Sequence, residues 1–251
     1  MTLNELKKVV AELTDRAALN KIYKEDERTG ARRLVTSRLR QLDLEREQRM
    51  NYDRASTFEA QYAGDIICGI DEVGRGPLAG PVVACAVILE EGHYYPGLTD
   101  SKQLSAKKRQ SLEAQLLAAV SDYALGTATV EEIDAINIYE ASKLAMRRAV
   151  ESLTVKPSVL LIDAMTLGTG LVEEALIKGD SRSVSIGAAS IIAKEYRDRL
   201  MMAYDVQYPG YDFKNNAGYG TKKHLEGIER LGITPIHRRT FEPIKSIILH
   251  Q

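Results

Sequence analysis

The sequence predicts a mixed α/β fold preceded by a small helical extension. Three observations carry that reading. Strand-like runs (IICGI, VVACAVIL, SVLLID) begin only after residue 63, helix-periodic stretches are interspersed after the first two, and the first 62 residues hold helical spacing alone.

Thr2 and Glu5 make a capping-box pattern in front of Leu3, Leu6, Val10 and Leu13, which are spaced for one helix face. Val35, Leu39 and Leu42 repeat that spacing inside an Arg- and Glu-dense stretch with Glu45 and Arg49 at i,i+4, so a second helix is predicted over residues 31 to 52. From Asp65 the chain turns β-branched and glycine-rich. DIICGI and VVACAVIL read as buried strands joined by a short Gly/Pro connection, a hairpin. Ser105 opens a helix to about residue 120, YALGTATV reads as a third strand, and Ile138, Ala141, Ala145 and Ala149 give the next helix a small-residue face. SVLLID is a fourth strand. A long helix is predicted from residue 186 to 204, with Ala188, Ile192, Tyr196 and Leu200 on its apolar side, and a short one near residues 225 to 231. The organisation is therefore a helical extension over residues 1 to 62, a possible aid to substrate binding, and a main domain over 63 to 251 that ends in a helical, basic segment.

Composition narrows the function classes. With 251 residues and 44% hydrophobic content the chain can bury one sizeable core plus an appendage. No apolar run reaches the roughly 18 residues of a membrane span, and MTLNELKKVVAEL lacks a signal peptide's apolar region, so the expectation is a cytoplasmic protein with no membrane partner. Cys68 and Cys85 sit in strand-like runs and read as buried thiols. The net charge of −1 hides a polarity: residues 1 to 62 carry 13 basic and 11 acidic side chains, 63 to 213 carry 14 and 21, and 214 to 251 carry 7 and 3. An acidic centre with a basic tail suits a metal site beside a phosphate-binding surface.

The chemistry gathers at strand ends, where α/β sheets build their sites. Asp71 and Glu72 follow the first strand and Asp163 closes the fourth. Adjacent carboxylates are costly to desolvate, so they imply solvent, a cationic partner or a divalent ion. Mg²⁺ and Mn²⁺ prefer carboxylate and water oxygens, in keeping with the lack of a His/Cys cluster, while an acid pair facing water is the alternative these residues leave open. Gly74, Gly76 and Ala79 match the dinucleotide pattern G-x-G-x-x-A, but Pro77, Pro81 and the run into VVACAVIL leave no helix N-terminus for a pyrophosphate. The glycines are better used to bring backbone N–H groups close to a ligand beside the acids.

Taken in order over residues 65 to about 243, GIDEVGRGPLAGPVV, DSK at 100 to 102, LLIDA, AASIIAKEYRD and GYGTKKH resemble ribonuclease HII, of the type 2 ribonuclease H family. Arg75 with Gly76 and Pro77 favours it over its sibling, ribonuclease HIII. The resemblance implies a ribonuclease H-like mixed five-stranded sheet flanked by helices. It implies an endoribonuclease that hydrolyses the RNA strand of RNA–DNA hybrids and cuts 5′ of single ribonucleotides in duplex DNA, by a two-metal-ion mechanism leaving 3′-hydroxyl and 5′-phosphate ends. Its partners would be those nucleic acids, and the chain a monomer.

Residue by residue, the resemblance assigns metal ligation, by Mg²⁺ or Mn²⁺, to Asp71, Glu72, Asp163 and Asp198. On pattern alone Asp198, one turn after Lys194, reads as half of a surface i,i+4 pair. Gly74, Arg75 and Gly76 would sense the ribose 2′-OH, Tyr219 would lie against the sugar at the RNA-to-DNA junction, and Lys102 would touch a phosphate. Asn137 and Ser190 also match family motifs, although such residues ordinarily cap helices or fill space. Arg238, Arg239, Lys222 and Lys223 are expected along the duplex backbone, and His237 in a structural role. Two rivals are a ribonuclease HIII-like activity limited to longer hybrids and a binding module whose carboxylates hold a structural cation.

Overall fold

In the computed structural model, which describes residues 1 to 98 and 104 to 249, the capping box forms as the sequence predicts. Glu5 N donates to Thr2 Oγ1 and Thr2 N to Glu5 Oε2 at 2.7 Å, opening α1 (Leu3–Glu12). α2 (Arg16–Glu25) follows behind Asp15, whose carboxylate caps Ala17 N, and then comes α3 (Thr29–Ala55). Leu6, Val10, Leu19, Ala31 and Val35 form a buried cluster of their own. α2, which the sequence reading did not place, sets Leu19 in that cluster with Ile22 packed against it. α3 is longer than expected at both ends.

The chain divides into two compact units, Met1–Asp53 and Arg54–Gln251. Residues 54 to 62 fall in the second, where α4 (Thr57–Ala60) brings Glu59 Oε1 within reach of Ser183 Oγ at 2.6 Å and Ser185 Oγ at 2.7 Å.

The second unit is built on a five-stranded mixed sheet in the order β3-β2-β1-β4-β5. β1 (Ile67–Val73), β2 (Val82–Ile88) and β3 (Asp122–Ala128) form an antiparallel meander, and β4 (Val159–Asp163) and β5 (Val172–Leu176) add in parallel beyond β1. The predicted hairpin is β1 and β2. β5, VEEAL, was not legible: two glutamates and an exposed Val172 hide an edge strand that only pairing with β4 defines. The helices are α5 (Ala106–Ala119), α6 (Val130–Ile136), α7 (Ile138–Glu151), α8 (Val184–Gln207), α9 (Phe213–Asn216), α10 (Lys222–Leu231) and α11 (Ile244–Leu249).

Strand alternation sorts the two sheet faces. Cys68, Ile70, Ala84, Ala86, Leu160 and Ile162 join Ala141, Ala145 and Ala149 of α7 in the main core, the small-residue helix face the sequence predicts. α8 covers the opposite face. Cys68 and Cys85 are both buried free thiols. Among the described residues no helix is long and apolar enough to cross a membrane.

Candidate active site

Ile70 of β1 stands opposite Ile162 of β4 in the parallel pair. The next residue on each strand is an acid, so register sets Asp71 beside Asp163 on one sheet face, with Cα atoms roughly 5 Å apart. That face meets α8. A Cβ on Gly69, two residues before Asp71, would lie 2.1 Å from the Ser185 carbonyl carbon, so only glycine lets the helix come this close. Further along α8, the buried Ser190 hydrogen-bonds Asp71. Asp71 also accepts from Glu72 N at 2.7 Å, and Asp163 Oδ1 accepts from Gly179 N at 2.7 Å.

These acids strain against one another. Burial first, then the charges of Glu72 and Asp163, hold the Asp71 carboxyl well above the usual carboxylate range. Burial also raises Glu72, with Arg75 opposing and Asp163 adding to the shift. Arg75 Nη1 is 3.5 Å from Glu72 Oε1, yet its side chain is 43% exposed, so its charge is shared with solvent. As they stand, no three His, Cys, Asp or Glu side chains among the described residues are gathered closely enough to ligate one ion. The donor set nevertheless fits a hard divalent cation. It is all oxygen, Glu72 Oε2 is buried without a hydrogen-bond partner among the described residues, and an ion would lower the raised Asp71 carboxyl.

Asp198 sits elsewhere in the charge network. Its Oδ1 is 2.6 Å from Lys194 Nζ and its Oδ2 is 3.5 Å from Arg109 Nη2, while Arg109 Nε is 2.6 Å from the buried Glu195. It is not among the charges that shift Asp71 or Glu72. Asn137 caps α7 from a left-handed backbone, φ 69°, its side chain accepting from Tyr139 N and Glu140 N. Lys102 lies outside the described residues.

The glycine turn and Tyr219 do come together. A Cβ on Gly76 would stand 3.2 Å from Tyr219 Cε1, so the half-exposed ring lies over the glycine. Gly74 has φ +96°, which L side chains rarely adopt, and a Cβ there would strike Arg197 Nε at 2.2 Å. Arg75 and Gly76 are exposed while Gly74 is buried.

Arg238 corrects the sequence reading: it is fully buried and cannot follow a duplex backbone. Its guanidinium donates to the carbonyls of Gly74, Arg75 and Gly80. Arg197, 1% exposed, donates in the same way to Ala79, Pro81 and Ala217. Burial pushes Arg197 down to about 10 and Arg238 to about 9, and both stay charged at neutral pH. Arg239, Lys222 and Lys223 are exposed. Sequence reasoning missed the two arginines as scaffold, and one signal was present: Arg197 falls on the i,i+4 row of the buried Ala193 and Met201.

His237 is buried and structural, and its partner is His224, which no sequence spacing linked to it. Thr234 N donates to His237 Nδ1 at 2.9 Å, which leaves the proton on His237 Nε2. That proton is donated to His224 Nε2 at 3.0 Å, and His224 Nδ1 then donates to the Tyr219 carbonyl at 2.9 Å. The chain of bonds ends on the tyrosine loop.

The comparisons with known proteins identify the family. The Ribonuclease HII family model matches residues 68 to 244, and the Ribonuclease HII N-terminal domain model residues 2 to 63. Ribonuclease HII of Macrococcus caseolyticus is 56% identical over 98% of this chain and 93% of its own, and that of Staphylococcus carnosus 52% identical over 100% and 98%. Among solved structures, the ribonuclease H2 of Pyrococcus horikoshii OT3 matches with TM-score 0.62 at 30% identity, over 73% of this chain and 97% of that one. The Bst ribonuclease HIII structure in complex with Mn²⁺ shares the fold at TM-score 0.60 and 20% identity, over 78% of this chain and 73% of that one. With a matched model over most of its length and relatives above 50% identity, this chain belongs to the ribonuclease HII family.

Proposed function

We propose that this protein hydrolyses the RNA strand of RNA–DNA hybrids and cuts on the 5′ side of single ribonucleotides in duplex DNA, with Mg²⁺ or Mn²⁺ as its cofactor. The observation that carries the reading is the register of β1 on β4, which sets Asp71 beside Asp163, in the same unit as the contact between Gly76 and Tyr219. A pair of divalent ions held by Asp71, Glu72, Asp163 and Asp198 would activate a water and neutralise the leaving 3′-oxygen. For Asp198 this requires leaving Lys194 and Arg109.

The chain's own residues supply recognition. Exposed main-chain groups at Arg75 and Gly76 meet the ribose 2′-OH, the one group that separates it from deoxyribose. The Tyr219 ring packs on the following sugar, where a hydroxyl would crowd it. Ser190 holds the Asp71 carboxylate, and the Gly179 N–H holds that of Asp163. Arg239, Lys222 and Lys223 are placed to meet phosphates, with Lys102 assigned the same role. The protein acts as a cytoplasmic monomer on these nucleic acids.

The test is incubation with a duplex carrying one ribonucleotide, with and without Mg²⁺ or Mn²⁺. Metal-dependent cleavage beside the ribonucleotide supports the reading. Cleavage of long hybrids alone points to a ribonuclease HIII-like activity, and binding without cleavage to a binding module. The arginine-rich helices of Met1–Asp53 are assigned to substrate affinity. A truncation should therefore begin after Asp53, because one after residue 60 also removes Glu59 from Ser183 and Ser185. It should weaken duplex binding and flatten its salt dependence more than it lowers turnover. Unchanged binding across a salt titration would overturn that assignment.

A further inference from the structure

We infer that Arg238 is a positioning residue for ribose recognition, turning two backbone N–H groups of the glycine loop outward as donors. The inference rests on the function proposed above and assigns its selectivity to a group that never touches substrate.

The argument is one of peptide geometry. Among the described residues the only cis peptide bond is Glu242-Pro243, so the bonds joining residues 74, 75 and 76 are trans. A trans peptide carries its C=O and the following N–H on opposite sides of the chain. Arg238 Nη2 takes the Gly74 carbonyl and Nη1 takes that of Arg75 at 2.8 Å, drawing both toward the interior. The N–H groups of Arg75 and Gly76 must then point the other way, and these two residues are the exposed part of the turn. Neither N–H meets an acceptor among the described residues.

The rest of the loop is fixed by the same device. Arg238 Nε holds the Gly80 carbonyl at 3.0 Å, and Arg197 holds Ala79, Pro81 and Ala217. Leu78 N donates to Gly218 O and Gly80 N to Ile236 O, both at 2.8 Å, so the glycine turn and the loop bearing Tyr219 are tied into one body. A planar fork holds two successive carbonyls at fixed separation, which a single ammonium cannot do. Loss of the fork should release the 74 to 76 turn before it disturbs phosphate contacts made by exposed lysines.

The experiment compares binding, without divalent cation, to a duplex carrying one ribonucleotide and to the all-deoxy duplex of the same sequence. The wild type should prefer the ribonucleotide by about tenfold, the worth of one well-made hydrogen bond. Arg238→Lys should bring that ratio to near unity with all-deoxy affinity kept, because a structural defect alone would lower both. A wild type that neither prefers nor cuts the ribonucleotide duplex would overturn the functional reading itself. Preference present in the wild type and retained in Arg238→Lys would overturn the role of Arg238 alone. Amide hydrogen exchange on the wild type decides the matter even if the variant does not fold: Arg75 and Gly76 should exchange fast in the free protein and slow only on the ribonucleotide duplex, and slow exchange in the free protein would refute the outward orientation.

Discussion

The carboxylates of Asp71, Glu72 and Asp163 and the guanidiniums of Arg197 and Arg238 are two close-set groups of like charge, and both border the turn at residues 74 to 76. Concentrating like charge in a low-dielectric interior is unfavourable in either case, but the chain answers it differently. The two arginines place seven hydrogen bonds on backbone carbonyls, with every guanidinium nitrogen engaged. The acids are less well provided. Glu72 Oε2 has no hydrogen-bond partner among the described residues, and Asp71 is raised chiefly by burial and by its two acidic neighbours. The fold itself completes the positive cluster, whereas it leaves Glu72 Oε2 in the negative one without a partner among the described residues, the place the proposed function gives to a bound cation.

The largest effect expected from that contrast is on turnover. Asp71→Asn keeps the shape of the acid cluster and removes a charge that a divalent ion needs, so cleavage of a ribonucleotide duplex should fall by about a thousandfold or more, with binding of the same duplex nearly unchanged. Single-turnover kinetics beside a binding titration measure both; retained turnover would show that Asp71 is not in the metal site. Next in size is a loss of stability. Arg238→Met leaves the Gly74, Arg75 and Gly80 carbonyls without their donor, and should cost about 3–5 kcal/mol in urea unfolding, the range for breaking a buried charged network. A cost below about 1 kcal/mol would mean that water replaces the guanidinium easily.

The contrast also explains what the sequence could reveal. The acids were legible because carboxylates break an apolar run, and the run itself announces the strand; Asp71 and Glu72, expected just after the first strand, lie inside β1, whose pairing with β2 carries it on to Val73. Their register was not, since the pairing of Ile70 with Ile162 joins residues far apart in the chain. Arg238 was read as a surface cation because it sits in HRRTF, where its neighbour Arg239 is indeed exposed; only tertiary burial separates the two. β5 and the pairing of His224 with His237 were hidden for the same reason, that the partner defines the feature. By contrast α1, α5 and α7 announced themselves through caps or apolar spacing and α8 and α10 through apolar spacing, although Tyr196, expected on the apolar side of α8, is exposed because the buried row runs through Ala193, Arg197 and Met201 instead.

The histidine pair offers a smaller, pH-dependent effect under the tyrosine loop. Burial and the neighbouring His224 lower His237 from 6.5 to about 4, and burial lowers His224. Between about pH 6.5 and pH 4 the unfolded chain takes up a proton at position 237 that the folded chain refuses. Stability from this source is therefore flat above pH 6.5 and is lost as pH falls toward 4, by on the order of 2 kcal/mol. His237→Gln, which does not titrate, should narrow its stability gap to the wild type by that amount over the same window. Parallel curves for the two proteins would place the titration elsewhere.

The smallest effect tests the contrast most directly, because its sign reverses with the metal. Without divalent cation, Asp71→Asn should be more stable than the wild type by about 1 kcal/mol, since it removes one of the mutually repelling buried carboxylates while Ser190 can still donate to the new amide oxygen. Adding Mg²⁺ should raise the wild-type Tm in proportion to the logarithm of its concentration above Kd, and raise that of the variant far less, so the two melting curves cross. No substitution of Arg197 or Arg238 should show such a crossing, because their partners are carbonyls already in place. If Asp71→Asn is destabilised at every Mg²⁺ concentration, the acid cluster is as complete in the fold as the arginine cluster, and the difference between them disappears.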